Sequence, residues 1–267
     1  MTSQAPSPRP SDLPVRALVG MLLIAAAGAA LLLGTWAFWL LVVIASLLML
    51  AEWGGLTSAS ATTTRLAQFA LSVPLAIMCP WAAGPGFFAL GLIAGAAFFV
   101  VIVTRRARLA FGVAYTGLPA LALLMLRDRT DGVLLVFWAL ALVWACDIGA
   151  YFAGRAIGGP RLAPAISPNK TWAGLGGGVI AAGAFGAVMH GFGLPIRLAA
   201  ATPLLAVVAQ AGDLYESALK RRAGVKDSGT LLPGHGGVLD RLDGLVPVAP
   251  LAALFVVTPE LISGLLS

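Results

Sequence analysis

An all-α, polytopic membrane helix bundle is the fold class that this sequence predicts. Three observations predict it: 60% of the 267 residues are hydrophobic, only 10% are charged, and the uncharged runs are long enough to cross a bilayer. A soluble domain carries about 25% charged residues, so a soluble globular enzyme is excluded. Disorder is excluded as well, because a chain this apolar buries far more surface than is needed to offset the entropy of ordering. A mean hydropathy of +0.95 makes lipid the solvent. Cys79 and Cys146 stand far apart in apolar stretches, which offers neither a disulfide framework nor a metal-binding C-x-x-C pair.

The elements follow in order. Residues 1–16 are polar and proline-rich and read as a flexible arm. From Ala17 to Ala51 there is no charge, enough for two spans at about 17–33 and 36–52, divided at Gly34 and Thr35. Residues 17–33 are read as a retained helix rather than a cleaved signal peptide. A second uncharged run, Leu66 to Thr104, is broken by Cys79-Pro80-Trp81 and Gly84-Pro85-Gly86 into spans three and four. Leu109 to Leu126 gives a fifth span and Gly132 to about Tyr151 a sixth. Ala173 to about Phe192 gives a seventh, Leu198 to about Glu216 an eighth, and Gly244 onward a ninth. The chain divides into the arm, an N-terminal set of spans over 17–131, and a C-terminal set over 132–267 that carries the polar loops.

With nine spans, the N-terminus and the loops after spans two, four, six and eight share one face. That face receives Arg9, Arg16, Arg65, Arg105, Arg106, Arg108, Arg155, Arg161, Lys170, Lys220, Arg221, Arg222, Lys226 and Arg241, or 14 of the 17 basic residues. Only Arg127, Arg129 and Arg197 fall on the other. By the positive-inside rule the first face, and with it the N-terminus, is cytoplasmic. The net charge of +6 therefore reports topology rather than a nucleic-acid partner.

Ionisable groups at membrane depth are costly and mark function by default. Here they gather at the cytoplasmic ends of spans six and eight, where Asp147, Asp213 and Glu216 stand. Asp147 and Tyr151 lie one turn apart, so Asp147 reads either as a metal or nucleotide contact or as a helix-end acid paired with Arg155 or another nearby base. Next comes Ser167-Pro168-Asn169-Lys170-Thr171-Trp172, then a glycine-rich span opening. This reads as an anion site at a helix N-terminus or as a Ser-Pro turn before a close-packed helix. A Walker loop is excluded because the lysine precedes the glycines and no strand is expected to lead in. Glycine- and alanine-rich faces on spans one and seven suit internal packing and a homodimer equally well.

The densest region runs from Asp213 to Asp243. If span eight continues beyond the bilayer, Asp213, Ser217, Lys220 and Arg221 fall on one stripe. Lys226-Asp227 and the turn Pro233-Gly234-His235-Gly236-Gly237 follow, then Asp240 and Asp243 on one side of a turn. Carboxylates beside cations suit a divalent metal on a polyphosphate: hard oxygens hold Mg²⁺ while Lys and Arg neutralise phosphoryl oxygens. Zinc and haem lack ligands, since the chain has only two histidines and two separated cysteines. His235 reads either as a loop hydrogen-bonder or as a base. Lys220, Arg221 and Arg222 would also suit an anionic membrane edge, but that account leaves the acids unexplained.

The segment from Ser217 to Asp243 reads S-x-L-K-R, four residues, K-D-x-G, then L-P-G-H-G-G-V-x-D-R-L-D. It resembles the signature of the phosphatidate cytidylyltransferases, or CDP-diacylglycerol synthases. The upstream pieces D-I-G-A-Y and S-P-N-K-T stand in the order shown by that family. The first 130 residues match it only as a hydrophobic multi-span region. The resemblance implies a membrane enzyme that condenses CTP with phosphatidic acid to give CDP-diacylglycerol and pyrophosphate, with one or two Mg²⁺ ions. It implies that Asp213, Asp240 and Asp243 bind the metal and that Lys220, Arg221 and Lys226 contact phosphate. Asp227, His235 and Arg241 complete the candidate catalytic set; Asp147, Ser167, Lys170, Thr171, Ser217, Gly236 and Gly237 are candidate substrate contacts. One departure is Ala173, where the family often carries a glutamate.

The chemistry fits the residues. Phosphatidate is already an anionic nucleophile, so attack on the α-phosphorus of CTP needs charge neutralisation and in-line positioning more than a base. A site at the cytoplasmic edge of a bacterial inner membrane lets CTP arrive from solution and the lipid from the side. The alternatives are another lipid-phosphate transferase, such as a polyprenol kinase, and an ion-coupled transporter. The transporter is disfavoured because no inverted repeat is visible and the acids lie near one face.

Overall fold

A computed structural model of the chain describes residues 13–232, 234 and 236–266, with the backbone alone for 13–17 and 260–266. Long helices dominate: α1 (Leu13–Leu33), α2 (Thr35–Leu56), α3 (Ala61–Ile77), α4 (Phe87–Thr104), α5 (Ala107–Arg127) and α6 (Gly132–Ile157). A hairpin of β1 (Arg161–Ala163) and β2 (Ser167–Thr171) follows, then α7 (Trp172–Gly191), α8 (Ile196–Arg222), a single turn α9 (Leu239–Leu242), and α10 (Leu245–Leu266). The fold is the expected all-α polytopic bundle. Six helices, α2 and α4 to α8, are long and apolar enough to cross a membrane among the described residues; α1 and α10 contribute shorter apolar runs, Leu18–Leu33 and Leu245–Pro259.

Two local expectations need correcting. Residues 13–16, read as part of the arm, are already helical, and Pro14 sits in the first turn where its missing N–H costs nothing; residues 1–12 lie outside the described residues. A strand does lead into α7: β2 pairs antiparallel with β1, matching Arg161 with Thr171 and Ala163 with Ser167. The Ser-Pro segment is thus extended backbone held by a partner strand, and Lys170 still precedes the glycines.

Local chemistry explains the boundaries. Gly34 turns the chain between α1 and α2 at φ 116°, in the left-handed region that favours glycine. Thr171 caps α7, its Oγ1 accepting the Gly174 N–H at 3.0 Å. The most enclosed helix is α5, whose Leu109, Val113, Thr116, Ala120, Leu124 and Leu126 are buried. Two buried indoles find partners: Trp53 Nε1 donates to the Arg108 carbonyl at 2.8 Å and Trp138 Nε1 to Thr202 Oγ1 at 3.0 Å.

Small residues set the closest approach. A Cβ on Gly178 would stand 2.8 Å from the Cys146 carbonyl, and one on Gly149 would stand 2.7 Å from the Gly177 carbonyl, so α6 and α7 pack backbone to backbone. Gly177 and Gly178 of span seven are therefore spent on packing inside the chain.

The loops sort to two ends as alternating spans require. Arg106 Nη1 donates to the Ser58 carbonyl at 2.9 Å, joining the start of α5 to the turn after α2. At the other end Arg127 Nη2 donates to the Leu31 carbonyl at 3.2 Å, joining the end of α5 to the end of α1. The hairpin, the end of α8 and the 223–238 segment all meet at the first end, through the contacts described next.

Candidate active site

The site is built on α8. Its 27 residues extend about 40 Å at 1.5 Å per residue, so the helix runs past a hydrocarbon core and carries its last turns into the polar end. Asp213, Ser217 and Lys220 lie along one stripe, as their spacing requires, and Ser217 Oγ donates to Asp213 Oδ1 at 3.3 Å. Gly212 lets α10 cross here, because a Cβ there would stand 2.5 Å from the Asp243 carbonyl and 2.6 Å from Pro247 Cγ. That close crossing brings Asp243 beside Asp213 and Glu216.

The β2 strand supplies the second cation. Lys170 forms an ion pair with Asp213 and donates to Gln210 Oε1 at 2.9 Å. The Gln210 amide then donates to Asp147 Oδ1 at 3.1 Å. Of the two readings of Asp147, the pair with Arg155 is not formed: Arg155 Nη1 bonds the Tyr151 hydroxyl at 2.9 Å, and Asp147 turns toward α8. Lys170, Gln210, Asp147 and Asp213 thus form one connected polar patch between α6, β2 and α8.

A second patch surrounds Asp240. Lys220 Nζ reaches Asp240 Oδ1 at 2.6 Å and Glu216 Oε1 at 3.4 Å. The other oxygen, Oδ2, accepts the backbone N–H of Gly237 at 2.7 Å and of Ser228 at 2.8 Å, and Ser228 Oγ lies 2.9 Å away. Burial alone would lift the Asp240 carboxyl, but the Lys220 ammonium and the two amides outweigh it and hold its pKa below the usual carboxylate value. Gly236 is required beside it: its φ is 82°, and a Cβ there would press on Asp240 Oδ2 at 2.5 Å. Asp243 is in the opposite state. Burial, and then the charge of Asp213, push its pKa up to about 7.

The remaining expected residues take other places. Thr171 spends its oxygen on the α7 cap, and Ser167 starts β2. Arg221 is exposed and donates to the Val225 carbonyl at 3.5 Å. Lys226, Asp227 and Arg241 are exposed at the same end. His235 lies outside the described residues.

A family match takes in these residues. The profile of the cytidylyltransferase family covers residues 14–258. The chain belongs to that family. A Brucella suis protein named phosphatidate cytidylyltransferase is 49% identical over 174 residues, covering 61% of this chain and 63% of the relative. Proteins of the same name from Haemophilus influenzae and Bacillus subtilis are 43% and 46% identical, over 48% and 46% of this chain and 48% and 49% of their own lengths. The matches thus span less than two thirds of these relatives.

Whether the family site suits a metal can be asked of its acids. Among the described residues no three His, Cys, Asp or Glu side chains converge as a metal cage. Both Asp240 oxygens are engaged by protein donors, so the expected triad of Asp213, Asp240 and Asp243 is not gathered as three free ligands. What remains fits Mg²⁺ well, because this ion keeps several waters and uses one or two carboxylates together with substrate phosphates. Asp213 and Asp243 would provide those carboxylates, Asp213 once Lys170 and Ser217, which engage its two oxygens, turn away. Buried Glu216, neither oxygen of which has a hydrogen-bond partner, stands beside them with Lys220 Nζ 3.4 Å from its Oε1.

Three residues of this candidate site were not among those the sequence singles out. Gln210 is the single amide in an otherwise apolar stretch of α8, a signal that was visible. Ser228 was hidden among loop polar residues. Glu52 is the only acid between residues 13 and 127; its carboxylate accepts the backbone N–H groups of Val238 and Leu239, both at 2.8 Å.

Proposed function

We propose that this chain is a phosphatidate cytidylyltransferase of a bacterial inner membrane, working at the cytoplasmic face with Mg²⁺. The observation that carries this reading is the gathering of Lys170, Asp213, Lys220, Asp240 and Asp243 from β2, α8 and the α9 turn to one end of the bundle. The positive-inside asymmetry supports placing that end in the cytoplasm, where CTP is found.

In this reading a phosphate oxygen of phosphatidate attacks the α-phosphorus of CTP. One P–O bond forms to the lipid phosphate, the bond from the α-phosphorus to the bridging oxygen breaks, and the electron pair leaves with pyrophosphate. Both substrates are polyanions, so charge is the main obstacle and a proton acceptor is secondary. Lys170 and Lys220 are held by Asp213 and Asp240 in the free protein, ready to turn toward incoming phosphoryl oxygens. Exposed Arg221 and Lys226 draw the triphosphate in, and Gln210 keeps Asp147 and Lys170 in register. Mg²⁺, held by Asp213 and Asp243, would neutralise triphosphate oxygens and the leaving pyrophosphate.

The test is product formation. Membranes containing the overproduced protein should convert labelled CTP and phosphatidic acid into a lipid-soluble cytidine product, with no product when either substrate is left out. Incorporation into a polyprenol phosphate instead, with phosphatidic acid inert, would overturn the reading.

A further inference from the structure

The contact of Glu52 with the 228–239 segment joins the two halves of the chain at the site. Glu52 stands near the end of α2, in the part of the sequence that otherwise reads as apolar packing. Its Oε1 accepts the Val238 N–H at 2.8 Å, and its Oε2 accepts the Leu239 N–H at 2.8 Å and faces Ser228 Oγ at 2.9 Å. The partners are 176 to 187 positions away in sequence. A carboxylate accepting two backbone amides and a hydroxyl is a strong, directional clamp.

The clamp acts on Asp240. Ser228 Oγ lies 2.9 Å from both Glu52 Oε2 and Asp240 Oδ2, and its single proton can serve only one of them at a time. Asp240 keeps the amides of Ser228 and Gly237, so Glu52 can hold the hydroxyl without stripping Asp240. The backbone has been cleared for this approach: a Cβ on Gly229 would stand 2.9 Å from Glu52 Oε1, and a Cβ on Gly237 would strike Glu52 Oε2. Two carboxylates from opposite halves therefore grip the same backbone turn, one from each side.

We infer that Glu52 is a positioning residue, clamping the 228–239 segment so that Asp240 presents Oδ1 to Lys220 and Lys220 is aimed into the site. The role in turnover rests on the cytidylyltransferase reading, but the clamp itself does not.

The test uses the full chain in detergent and compares wild type with E52A, E52Q and S228A. Hydrogen exchange of peptides covering 226–242, in nucleotide-free protein, reads the clamp without any turnover. E52A should speed exchange there while α5 and α6 keep their protection, and should lower kcat/KM for CTP about 10- to 100-fold. E52Q, which retains one acceptor oxygen, should recover part of both losses, and S228A should reproduce part of them. Unchanged exchange over 226–242 in E52A would overturn the proposal. So would faster exchange with unaltered kinetics, or an equal loss of protection throughout the bundle, which marks a residue needed only for folding. If wild type turned over no CTP, the exchange result would still decide the clamp, and only the proposed function would fall.

Discussion

Lys220 Nζ lies 2.6 Å from Asp240 Oδ1, bridging α8 to the α9 turn with both side chains largely buried. Removing one member leaves the other, largely buried charge without its partner, which is worse than removing both. K220M and D240N should each destabilise the protein by about 3 kcal/mol, and the double variant by less than the sum, with a coupling of about 1–3 kcal/mol. Thermal unfolding in detergent checks this; additive losses would mean the pair is not formed.

The crossing of α8 and α10 at Gly212 has no room for a side chain, so G212A should push Asp243 away from Asp213. A loss of about 1–3 kcal/mol is expected from overpacking, with a larger proportional loss of activity than for G176A. Gly176 is a fair control, since a Cβ there meets nothing within 4 Å. Equal behaviour of the two variants would contradict the crossing geometry.

Asp243 and Asp240 should respond to pH with opposite signs. Folding raises the Asp243 pKa to about 7, so in metal-free protein its contribution is full below the unfolded value and is lost as pH rises through 7. Folding lowers the Asp240 pKa, so its contribution is present above the unfolded value and is lost as pH falls through the folded one. Melting temperatures in chelator should therefore fall from pH 5 to pH 8 more steeply in wild type than in D243N. Stability rising over that interval relative to D243N would contradict the assignment.

Gln210 joins Asp147 to Lys170, and a leucine of similar size cannot. Q210L leaves polar groups short of a partner, which costs about 1–3 kcal/mol. The protein should stay folded and its activity should fall about tenfold or more. Normal activity would reduce Gln210 to helix packing.

Much of the architecture was legible because lipid leaves few options: an uncharged run must be a helix, and proline, glycine and charge mark its ends. The hairpin was not legible, since β1 and β2 have three and five residues and their polar pattern shows no alternation against a core. The site acids could be found from their types and spacing. What each acid does could not, because both Asp240 oxygens are taken by Lys220 and by loop amides whose placement depends on the turn at Gly236 and Gly237. Glu52 illustrates the same limit: its isolation in an apolar half was visible, but nothing local points to amides nearly 190 positions away.

Pyrophosphate release by purified protein with CTP, phosphatidic acid and Mg²⁺, run beside D243N and an ATP control, tests the central claim most directly. The account predicts release that needs all three components, is absent with ATP, and is lost in folded D243N. Release from folded D243N at the wild-type rate, or none from well-folded wild type supplied with lipid, would contradict it.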